Sequence, residues 1–594
     1  MSRAFLLAAS AFALSTPSAA QIGNDWAEVA ENPARLAFSG PLSDPDTEVD
    51  FEVGDLDRDG WEDVVVARGP SGSSLGFREN VLLMNRGGVL TDETALFATA
   101  SDVAGDLGFL TPTNDRDLVV IDVNADGWLD VVTATTLSDD EPKAVSHPRV
   151  YVNLGEDGAG SWLGLRYEEA RIPQLFTVGG LPVAPRFCDV SAGDVNGDGA
   201  PDLYFIDYDN TQTGHAEAAG EDLNDRLLVN DGGGFFTDQS ALHLTVDQLK
   251  SAFGNTTVVD DVNGDGHADI AKVTSLGVPY NVRIMYNDAA GQGQFQPLGS
   301  QDVGSNSPYG FDLGDLNADG RLDIAIQDDG SDRFRLNQGN DPLGRAIWGP
   351  LKVFQFAGGS DDGFGHKVRI ADFDGDGWSE VFICDFDIEF KGCLRRLHIY
   401  HNTGGEVGGD VVLREEAELT SPTTGWKGVE GLQVADLRGT MDIGLHDFDE
   451  DGDVDLLLGN CGGTRFWENQ AVTAPVVCQA SLGFAGPGAA VLSVCGDDLT
   501  TAGSAAELKV QGAASGAPAV LALSSAQNPV SLGFAVLVPN PILGLVPAVT
   551  DADGELHLDV FGKAGTPAPA YVQAAIVAAD GIEVTNALEV VAGT

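Results

Sequence analysis

A nine-residue pattern of oxygen-bearing side chains occurs seven times and is the feature of this sequence best suited to chemistry. It reads Asp-x-(Asp/Asn)-x-Asp-Gly-x-x-(Asp/Glu), and we number its copies loops 1 to 7. The loops begin at Asp55, Asp122, Asp194, Asp261, Asp315, Asp372 and Asp447. Ca²⁺ prefers carboxylate and amide oxygens, and a tight loop that carries them at alternate positions directs several oxygens to one point. The pattern therefore predicts about seven Ca²⁺ ions per chain.

The candidate metal ligands are the side chains at positions 1, 3, 5 and 9 of each loop. Gly at position 6 permits a sharp turn, and the main-chain carbonyl of position 7 can add a further ligand. The candidate side chains are Asp55, Asp57, Asp59, Asp63, Asp122, Asn124, Asp126, Asp130, Asp194, Asn196, Asp198, Asp202, Asp261, Asn263, Asp265, Asp269, Asp315, Asn317, Asp319, Asp323, Asp372, Asp374, Asp376, Glu380, Asp447, Asp449, Asp451 and Asp455.

Two other interpretations of the loops are weaker. An EF-hand needs Glu at position 12 and a flanking helix on each side, but position 12 is Val66 in loop 1 and Thr133 in loop 2, within apolar runs. Asp, Asn and Gly also form ordinary polar turns. Seven complete sets of oxygen ligands favour metal binding over seven unrelated turns.

The elements that position the loops are predicted to be strands. Each loop is followed by an apolar, β-branched run, such as residues 64–66 or 324–326, which is typical of a buried strand. A later strand in each repeat ends in Asn, at Asn85, Asn153, Asn230, Asn287, Asn337, Asn402 and Asn469. Edge strands are predicted at residues 91–94 and 237–240. Such four-stranded antiparallel units, repeated radially, form a β-propeller.

The predicted fold class is all-β: a seven-bladed β-propeller followed by a small C-terminal β-sandwich-like domain. The repeat stops near Ala471, where short β-type runs rich in Ala, Val, Gly, Ser and Pro begin. The predicted domains are a signal peptide at residues 1–20, the propeller at 21–470 and the β-rich domain at 471–594. Because the last repeat lacks an edge strand, residues 25–30 are predicted to supply it and close the ring.

With flanks such as Phe253-Gly254-Asn255 before loop 4, the repeats resemble the FG-GAP (VCBS) repeats of integrin α-subunit-type propellers. The resemblance covers about residues 22–470. It implies the propeller fold, calcium in each loop and an extracellular location. The tail resembles the β-rich C-terminal modules of large secreted proteins from environmental bacteria.

Charge and the N-terminal segment restrict location and partners. A formal charge of −59 disfavours binding to nucleic acid or to an anionic membrane. An apolar run after Arg3 ends at Ser18-Ala19-Ala20, which is typical of a secretory signal cleaved near Ala20. No later run is long enough for a transmembrane segment. The mature protein is predicted to be a monomer that is secreted or held at the cell surface.

Six cysteines are too few for a disulfide framework, but export permits some bridges. Cys384 with Cys393 is the favoured pair, because they flank a short connection between strands. Cys478 with Cys495 is a second candidate, and Cys461 with Cys478 is its rival. Cys188 is predicted to be a buried free thiol.

The sequence contains no recognised catalytic motif such as His-Glu-x-x-His or Gly-x-Ser-x-Gly. His398 and His401 are predicted to lie on opposite faces of a strand, and the tryptophans at position 7 (Trp61, Trp128 and Trp378) to be packed or at a rim. The favoured function is a non-catalytic extracellular binding or adhesion module for a protein or a glycan. The alternative is a calcium-dependent secreted polysaccharide lyase or a related hydrolytic enzyme.

Overall fold

The computed structural model of the chain divides into two compact units. The first comprises residues 1–450 and 454–471, and the second comprises residues 451–453 and 472–594. The structure describes residues 27–593 except 39–41, 71–75, 177–179, 209–223, 252–253, 276–280, 289, 305–307, 357–363, 387–392, 394, 406, 416–427, 471–490, 497–504, 512–516, 525–526, 532–535, 540–543, 551–555, 562–566 and 579–580. The regular structure is nearly all β and consists of small, mainly antiparallel sheets, which confirms the predicted all-β class.

Within the described residues, the first unit contains seven sheets of four or five strands, and sheets 1 to 7 are numbered after the loop that each contains. Sheet 1 comprises Leu36–Ala37, Thr47–Gly54, Asp63–Pro70, Val81–Asn85 and Leu90–Asp92, and sheet 2 comprises Ala100–Ser101, Asp115–Ile121, Asp130–Thr135, Val150–Asn153 and Leu165–Tyr167. Sheet 3 comprises Phe187–Gly193, Asp202–Asp207, Arg226–Asn230 and Phe236–Asp238, and sheet 4 comprises Thr257–Asp260, Asp269–Thr274, Asn281–Met285 and Ser300–Asp302. Sheet 5 comprises Pro308–Gly314, Asp323–Asp328, Arg333–Arg335 and Lys352–Val353, with a hairpin of Asn337–Asn340 and Ala346–Trp348 in its last connection. Sheet 6 comprises Gln355–Phe356, Phe364–Ala371, Glu380–Phe386, Leu397–Asn402 and Leu413–Glu415, and sheet 7 comprises Val29–Glu31, Thr440–His446, Asp455–Asn460 and Gly463–Asn469.

Every loop connects two antiparallel strands in the same way. The strand before the loop, which we call the inner strand, ends just before position 1, and the next strand begins at position 9. In sheet 1, for example, Gly54 pairs with Asp63. The repeat of sequence is thus a repeat of structure.

The sheets of the first unit follow one another in a closed order. The inner strand of each of sheets 2 to 7 lies beside the preceding sheet, and the inner strand of sheet 7 also lies beside that of sheet 1. Residues alternate between the two faces of a strand, so Val65 packs with Val131 of sheet 2, whereas its neighbour Val64 packs with Leu457 of sheet 7. The core therefore lies between successive sheets, as the propeller interpretation requires.

The strand from the N-terminal segment closes sheet 7, as the sequence predicted. Val29–Glu31 pairs antiparallel with Gly463–Asn469, and Val29 lies opposite Asn469. Residues 25 and 26 of the predicted strand lie outside the described residues, as does the predicted signal peptide. The pairing covers the edge that sheet 7 would otherwise expose.

The edge strands of sheets 1 and 3 are shorter than predicted. They end at Asp92 and Asp238, and one-turn helices follow at Thr94–Phe97 and Ser240–His243. The cause is local, because Asp92 Oδ1 accepts hydrogen bonds from both the amide and the hydroxyl of Thr94. The other short helices are Pro33–Arg35, Gly108–Leu110, Lys143–Ser146 and Glu169–Arg171. No described helix has the length and apolar character needed to cross a membrane.

The favoured disulfide is wrong. Cys393 is bonded to Cys461, with Cα atoms 6.1 Å apart, and Cys384 is a buried free thiol. The side chain of Cys384 instead lies in the apolar core with Phe382 and Leu397. The bond also excludes Cys461 with Cys478 and joins the connection in sheet 6 to sheet 7.

Cys188 is free and buried, as predicted. Cys478 and the side chain of Cys495 lie outside the described residues.

The second unit is also β-rich. Its described strands form a three-stranded sheet, a four-stranded sheet and a hairpin. They are Val491–Gly496, Ala505–Gln511 and Leu556–Phe561; Pro518–Ser524, Gly544–Val549, Pro567–Ala578 and Gly581–Gly593; and Gln527–Ser531 with Val536–Pro539. Leu521 and Ile576 are among the residues of its apolar core.

Candidate metal centres

Hydrogen bonds from backbone amides to side-chain oxygens give the loops their curvature, as loop 2 illustrates. Asp122 Oδ2 accepts the amide of Gly127 at 2.7 Å. Asn124 Oδ1 accepts the amide of Asp126, and Asp126 Oδ1 accepts the amide of Trp128, each at 2.9 Å. Alternate side chains thus fold back over the chain, and their remaining oxygen lone pairs are available to a cation.

Two positions of every loop require a left-handed backbone. The glycine at position 6 has a positive φ in all seven loops, between 78° at Gly320 and 99° at Gly452. Position 4 also has a positive φ, even where it is not glycine, as at Arg58 (59°) and Glu450 (59°). A non-glycine residue in this region costs energy, and such positions persist where the surroundings enforce them. The sequence marked position 6 but not position 4.

Carboxylates from positions 1, 3 and 9 converge in the three loops that carry acids at all three positions. In each group, the ligand oxygens lie within 4.8 Å of one another. The groups are Asp55, Asp57 and Asp63 in loop 1, Asp372, Asp374 and Glu380 in loop 6, and Asp447, Asp449 and Asp455 in loop 7. The other four loops carry Asn at position 3. These clusters can bind metal ions and are compatible with calcium.

Position 5 is placed differently from the other candidates. Asp59 and Asp451 are not members of the groups in loops 1 and 7. In loop 6, Asp376 groups with Asp374 and with His401, a residue that the loop pattern did not include. The sequence analysis considered His401 only with His398, although its position directly before the repeated Asn402 also placed it close to a loop. His398 lies apart, between Glu415 and Asp385, so the two histidines do not form a ligand pair.

The carboxylate at position 9 is buried in every loop, and in every loop except loop 4 it is fixed by two backbone amides. Asp63 Oδ2 accepts the amide of Leu56 at position 2, at 3.0 Å, and Asp63 Oδ1 accepts the amide of Asn85 at 2.8 Å. The donors are Val123 and Asn153 for Asp130, Val195 and Asn230 for Asp202, Asn287 for Asp269, Leu316 and Asn337 for Asp323, Phe373 and Asn402 for Glu380, and Phe448 and Asn469 for Asp455. Position 9 therefore joins its loop to the strand that ends in Asn.

Burial makes these carboxylates poor anions in the absence of a cation. It raises the pKa of Asp63 and Asp269 to about 8 and the pKa of Asp130 and Asp202 to about 7, and the other acids of each loop add to the effect. The hydrogen bonds from backbone amides oppose the rise without cancelling it. A divalent cation would stabilise the charged form that burial disfavours.

Buried oxygens that accept no hydrogen bond support the fit to a cation. Among the described residues they include Asp55 Oδ1 at position 1 of loop 1, Asp269 Oδ2 at position 9 of loop 4 and Asn317 Oδ1 at position 3 of loop 5. A buried oxygen without a partner is costly unless something else satisfies it. These atoms belong to predicted ligand positions, so the donor set fits a hard cation.

Arginine side chains reach three of the loops, which the sequence analysis did not foresee. Arg86 lies 2.6 Å from Asp57 and 3.2 Å from Asp59 in loop 1. Arg35 lies 2.5 Å from Asp449 in loop 7, and Arg321 pairs with Asp319 in loop 5. These guanidinium groups neutralise part of the charge, so the seven loops are not equivalent.

The tryptophans at position 7 are packed rather than displayed, as predicted. Trp61, Trp128 and Trp378 are all half-buried. The guanidinium of Arg58, at position 4 of loop 1, lies 4.2 Å from the ring of Trp128 in loop 2. This cation–π contact joins two neighbouring loops.

Comparison with known proteins identifies the repeat. A family model described as an FG-GAP-like repeat matches residues 122–205, 261–326 and 315–383, which contain loops 2 to 6. No curated protein matches the sequence.

Distant similarity extends to solved structures of toxin complexes. The Photorhabdus luminescens Tc holotoxin pore with mutation TccC3-D651A is 14% identical, with a TM-score of 0.30, over 93% of this chain and 25% of that one. TcdB2-TccC3 without its hypervariable C-terminal region is 14% identical, with a TM-score of 0.26, over 93% of this chain and 26% of that one. The chain thus spans about a quarter of the length of these toxin chains. A tetra-tandem repeat of a large adhesion protein is 10% identical, with a TM-score of 0.12, over 68% of this chain and 98% of that one.

Proposed function

We propose that the chain is an FG-GAP repeat protein and that its first unit is a seven-bladed β-propeller that binds about seven Ca²⁺ ions. We further propose that it acts outside the cell as a non-catalytic binding or adhesion module for a protein or a glycan. The observation that carries the metal proposal is the convergence of loop carboxylates around buried oxygens such as Asp55 Oδ1 that accept no hydrogen bond. The side chains at positions 1, 3, 5 and 9 of the seven loops would hold the ions.

Calcium bound in these loops would stabilise the folded structure. Each ion would neutralise acids that come from both strands around a loop and would fix the left-handed positions 4 and 6. The formal charge of −59 opposes a compact fold, and bound cations reduce that repulsion. Rigid loops at the same end of successive sheets then provide a fixed surface for a partner.

Elemental analysis of the dialysed protein tests the metal proposal. We expect about seven calcium ions per chain, and about one fewer in Asp198→Ala, which removes position 5 of loop 3. Asp139→Ala is the matched control, because Asp139 pairs with Arg186 at 2.8 Å outside the loops and should leave the count unchanged. A count of one or zero in the unaltered protein would refute the proposal.

Two further experiments test the binding role. Incubation of the calcium-loaded protein with a panel of acidic polysaccharides should yield no unsaturated product, and any turnover would favour the lyase alternative. Pull-down from the native cell envelope, with and without chelator, should capture a protein or glycan only when calcium is present. Capture that is equal in chelator would contradict a calcium-dependent surface.

The domain and export proposals are tested separately. We propose a propeller at residues 21–470, a β-rich domain at residues 471–594 and release of a monomer after cleavage near Ala20; the limit of the first unit at Ala471 supports the boundary. N-terminal sequencing of the exported protein should begin near Gln21. Light scattering that gave a dimer mass would contradict the monomer.

A further inference from the structure

The asparagine that ends a strand in every repeat ties its sheet to the loop of the preceding sheet. In sheet 3, Asn230 Nδ2 donates to the carbonyl of Val123, at position 2 of loop 2, at 2.8 Å. The same nitrogen donates to the carbonyl of Pro201, at position 8 of loop 3, at 3.0 Å. One side chain thus connects two loops that are a full repeat apart in sequence.

All seven asparagines make this connection to the preceding loop, and we call them the latch asparagines. The pairs of Asn Nδ2 and position-2 carbonyl are Asn85 with Phe448, Asn153 with Leu56, Asn230 with Val123, Asn287 with Val195, Asn337 with Val262, Asn402 with Leu316 and Asn469 with Phe373, at 2.8 to 3.2 Å. The first pair joins sheet 1 to loop 7, so the series closes on itself.

Each latch reaches the candidate ligands through the peptide units on either side of position 2. The amide of Val123 donates to Asp130 Oδ2 at position 9, while its carbonyl accepts from Asn230. Val123 stands between the ligand positions Asp122 and Asn124, so displacement of this residue moves both. The backbone amide of Asn230 in turn fixes Asp202 Oδ1 at position 9 of the next loop.

The hydrogen bond to the carbonyl at position 2 is costly to break, because it lies in a buried site. Val123 is buried, and Asn230 is almost fully buried. Loss of the Asn230 donor would leave the carbonyl of Val123 without this hydrogen bond in a buried site. A buried acceptor without a partner destabilises the fold by about as much as a lost hydrogen bond. The loop would then lose one of the contacts that orient its first three positions.

We propose that each latch asparagine is a positioning residue for the cation loop of the preceding sheet, in addition to the loop of its own sheet. Asn230 therefore controls cation affinity in loop 2, from which it is separated by a whole repeat. The inference rests on the proposed function, because it assumes that the loops bind cations.

Terbium provides a site-resolved test, because bound Tb³⁺ emits when a neighbouring tryptophan absorbs light. Loop 2 carries Trp128 at position 7, whereas loops 3 and 4 carry Ala200 and His267 there. The part of the terbium emission that is lost in Trp128→Phe therefore comes from Tb³⁺ bound at loop 2. Asn230→Ala and Asn287→Ala form a matched pair, because the second latch binds Val195 in loop 3 at the same 2.8 Å.

Titration of each variant with terbium, with and without Trp128→Phe, should separate the two latches. We expect Asn230→Ala to weaken terbium binding at loop 2 about five-fold, the effect of losing one hydrogen bond, and Asn287→Ala to weaken it less than about two-fold. If Asn230→Ala does not fold, Asn230→Leu keeps the approximate size and removes the donor without adding a charge, and it should give the same shift.

The outcomes are distinguishable. An unchanged Trp128-dependent titration in Asn230→Ala, or equal shifts in both variants, would overturn the role of Asn230 in loop 2. A failure of the unaltered protein to bind either terbium or calcium would instead refute the proposed function.

Discussion

Two groups of converging carboxylates lie at either end of the inner strand Phe364–Ala371 and differ in the source of their counter-charge. Near its start, Lys367 Nζ lies 2.6 Å from Asp50 Oδ1 and 2.5 Å from Asp117 Oδ1, which belong to sheets 1 and 2. Just after its end, Asp372, Asp374 and Glu380 of loop 6 converge within 4.8 Å. For Asp50 and Asp117 the counter-charge is the side chain of Lys367. The carboxylates of loop 6 need a cation from solution instead.

The pKa values express the same difference. Burial opposes a charge on Lys367, but Asp117 and Asp50 outweigh it and hold the pKa of that amine well above its usual value. Burial raises the pKa of Glu380 well above the usual range, and Asp374 adds to the rise. A sheet can therefore be held at one end by a built-in ion pair and at the other by a metal ion that can be removed.

Removal of calcium should have the largest effect. At a calcium concentration about 100 times Kd, each ion adds roughly 2–3 kcal/mol to the free energy of unfolding, so several sites together exceed about 10 kcal/mol. Chelator should lower Tm sharply in differential scanning calorimetry, and excess calcium should restore it. A Tm that chelator leaves unmoved would remove the distinction between the two groups.

Replacement of the built-in cation should have the next largest effect. Lys367→Met leaves Asp50 and Asp117 buried without their partner, which costs about 3–5 kcal/mol. Urea unfolding should give the same loss at low and at saturating calcium, because calcium acts at the loops. Lys352→Met is the control, since Lys352 pairs with the exposed Asp410, and it should change stability by less than about 1 kcal/mol. Rescue of Lys367→Met by added calcium would contradict the separation of the two groups.

The disulfide is a covalent cross-link, and its contribution to stability can be compared with that of the two groups of carboxylates. Cys393 and Cys461 close a loop with a sequence separation of 68 residues, so reduction should cost roughly 2–4 kcal/mol. The fall in Tm on reduction should be smaller than the fall in chelator. A double variant, Cys393→Ser with Cys461→Ser, should show no response to reductant, and a larger shift from reductant than from chelator would reverse the ranking.

A third ion group in sheet 6 should give the smallest effect and a pH dependence of its own. Burial lowers the pKa of His398, but Glu415 and Asp385 outweigh it and raise the pKa to about 10. The stabilisation from charged His398 is complete below about pH 6.5, the usual histidine pKa, and is lost as the pH rises toward 10.

Urea unfolding at pH 6 and pH 9.5 tests this group. His398→Gln should cost roughly 2 kcal/mol at pH 6, with a smaller loss at pH 9.5. His446→Gln is the control, because His446 is partly exposed and 4.0 Å from Glu62. Equal losses for His398→Gln at both pH values would show that its charge does not contribute.

The features that the sequence predicted are those that depend on local pattern. The continuous apolar run at residues 64–66 was enough to predict a buried strand, which the structure places at Asp63–Pro70, because residues 64 and 65 face different neighbouring sheets and both are buried. The loops were visible because their polar positions recur in order. The strand Val29–Glu31 was predicted because the last repeat lacks the edge strand seen in other repeats, so this prediction also came from comparing the repeats.

The features that escaped prediction depend on contacts between distant parts of the chain. Arg86 approaches Asp57 and Arg35 approaches Asp449 only because the sheets bring them together. The pairing of Cys384 failed because sequence proximity ignores the direction of a side chain in a strand, and this thiol faces the core. The repeated Asn was visible, but its donor group acts on another repeat, which no local pattern reveals.

The closure of sheet 7 by Val29–Glu31 has a consequence for synthesis of the protein. Glu31 and Arg465, whose side chains are 2.7 Å apart across this pairing, are separated by 434 residues. At a typical rate of about 5–20 residues per second, the N-terminal strand is made roughly 20 to 90 seconds before its partner exists. Until then sheet 1 lacks its neighbour on one side, and the apolar face that includes Val64 stays uncovered. The apolar face of sheet 1 therefore stays uncovered until the last repeat is made, and a truncation before Thr440 would leave it without Met441, Phe448 and Leu457.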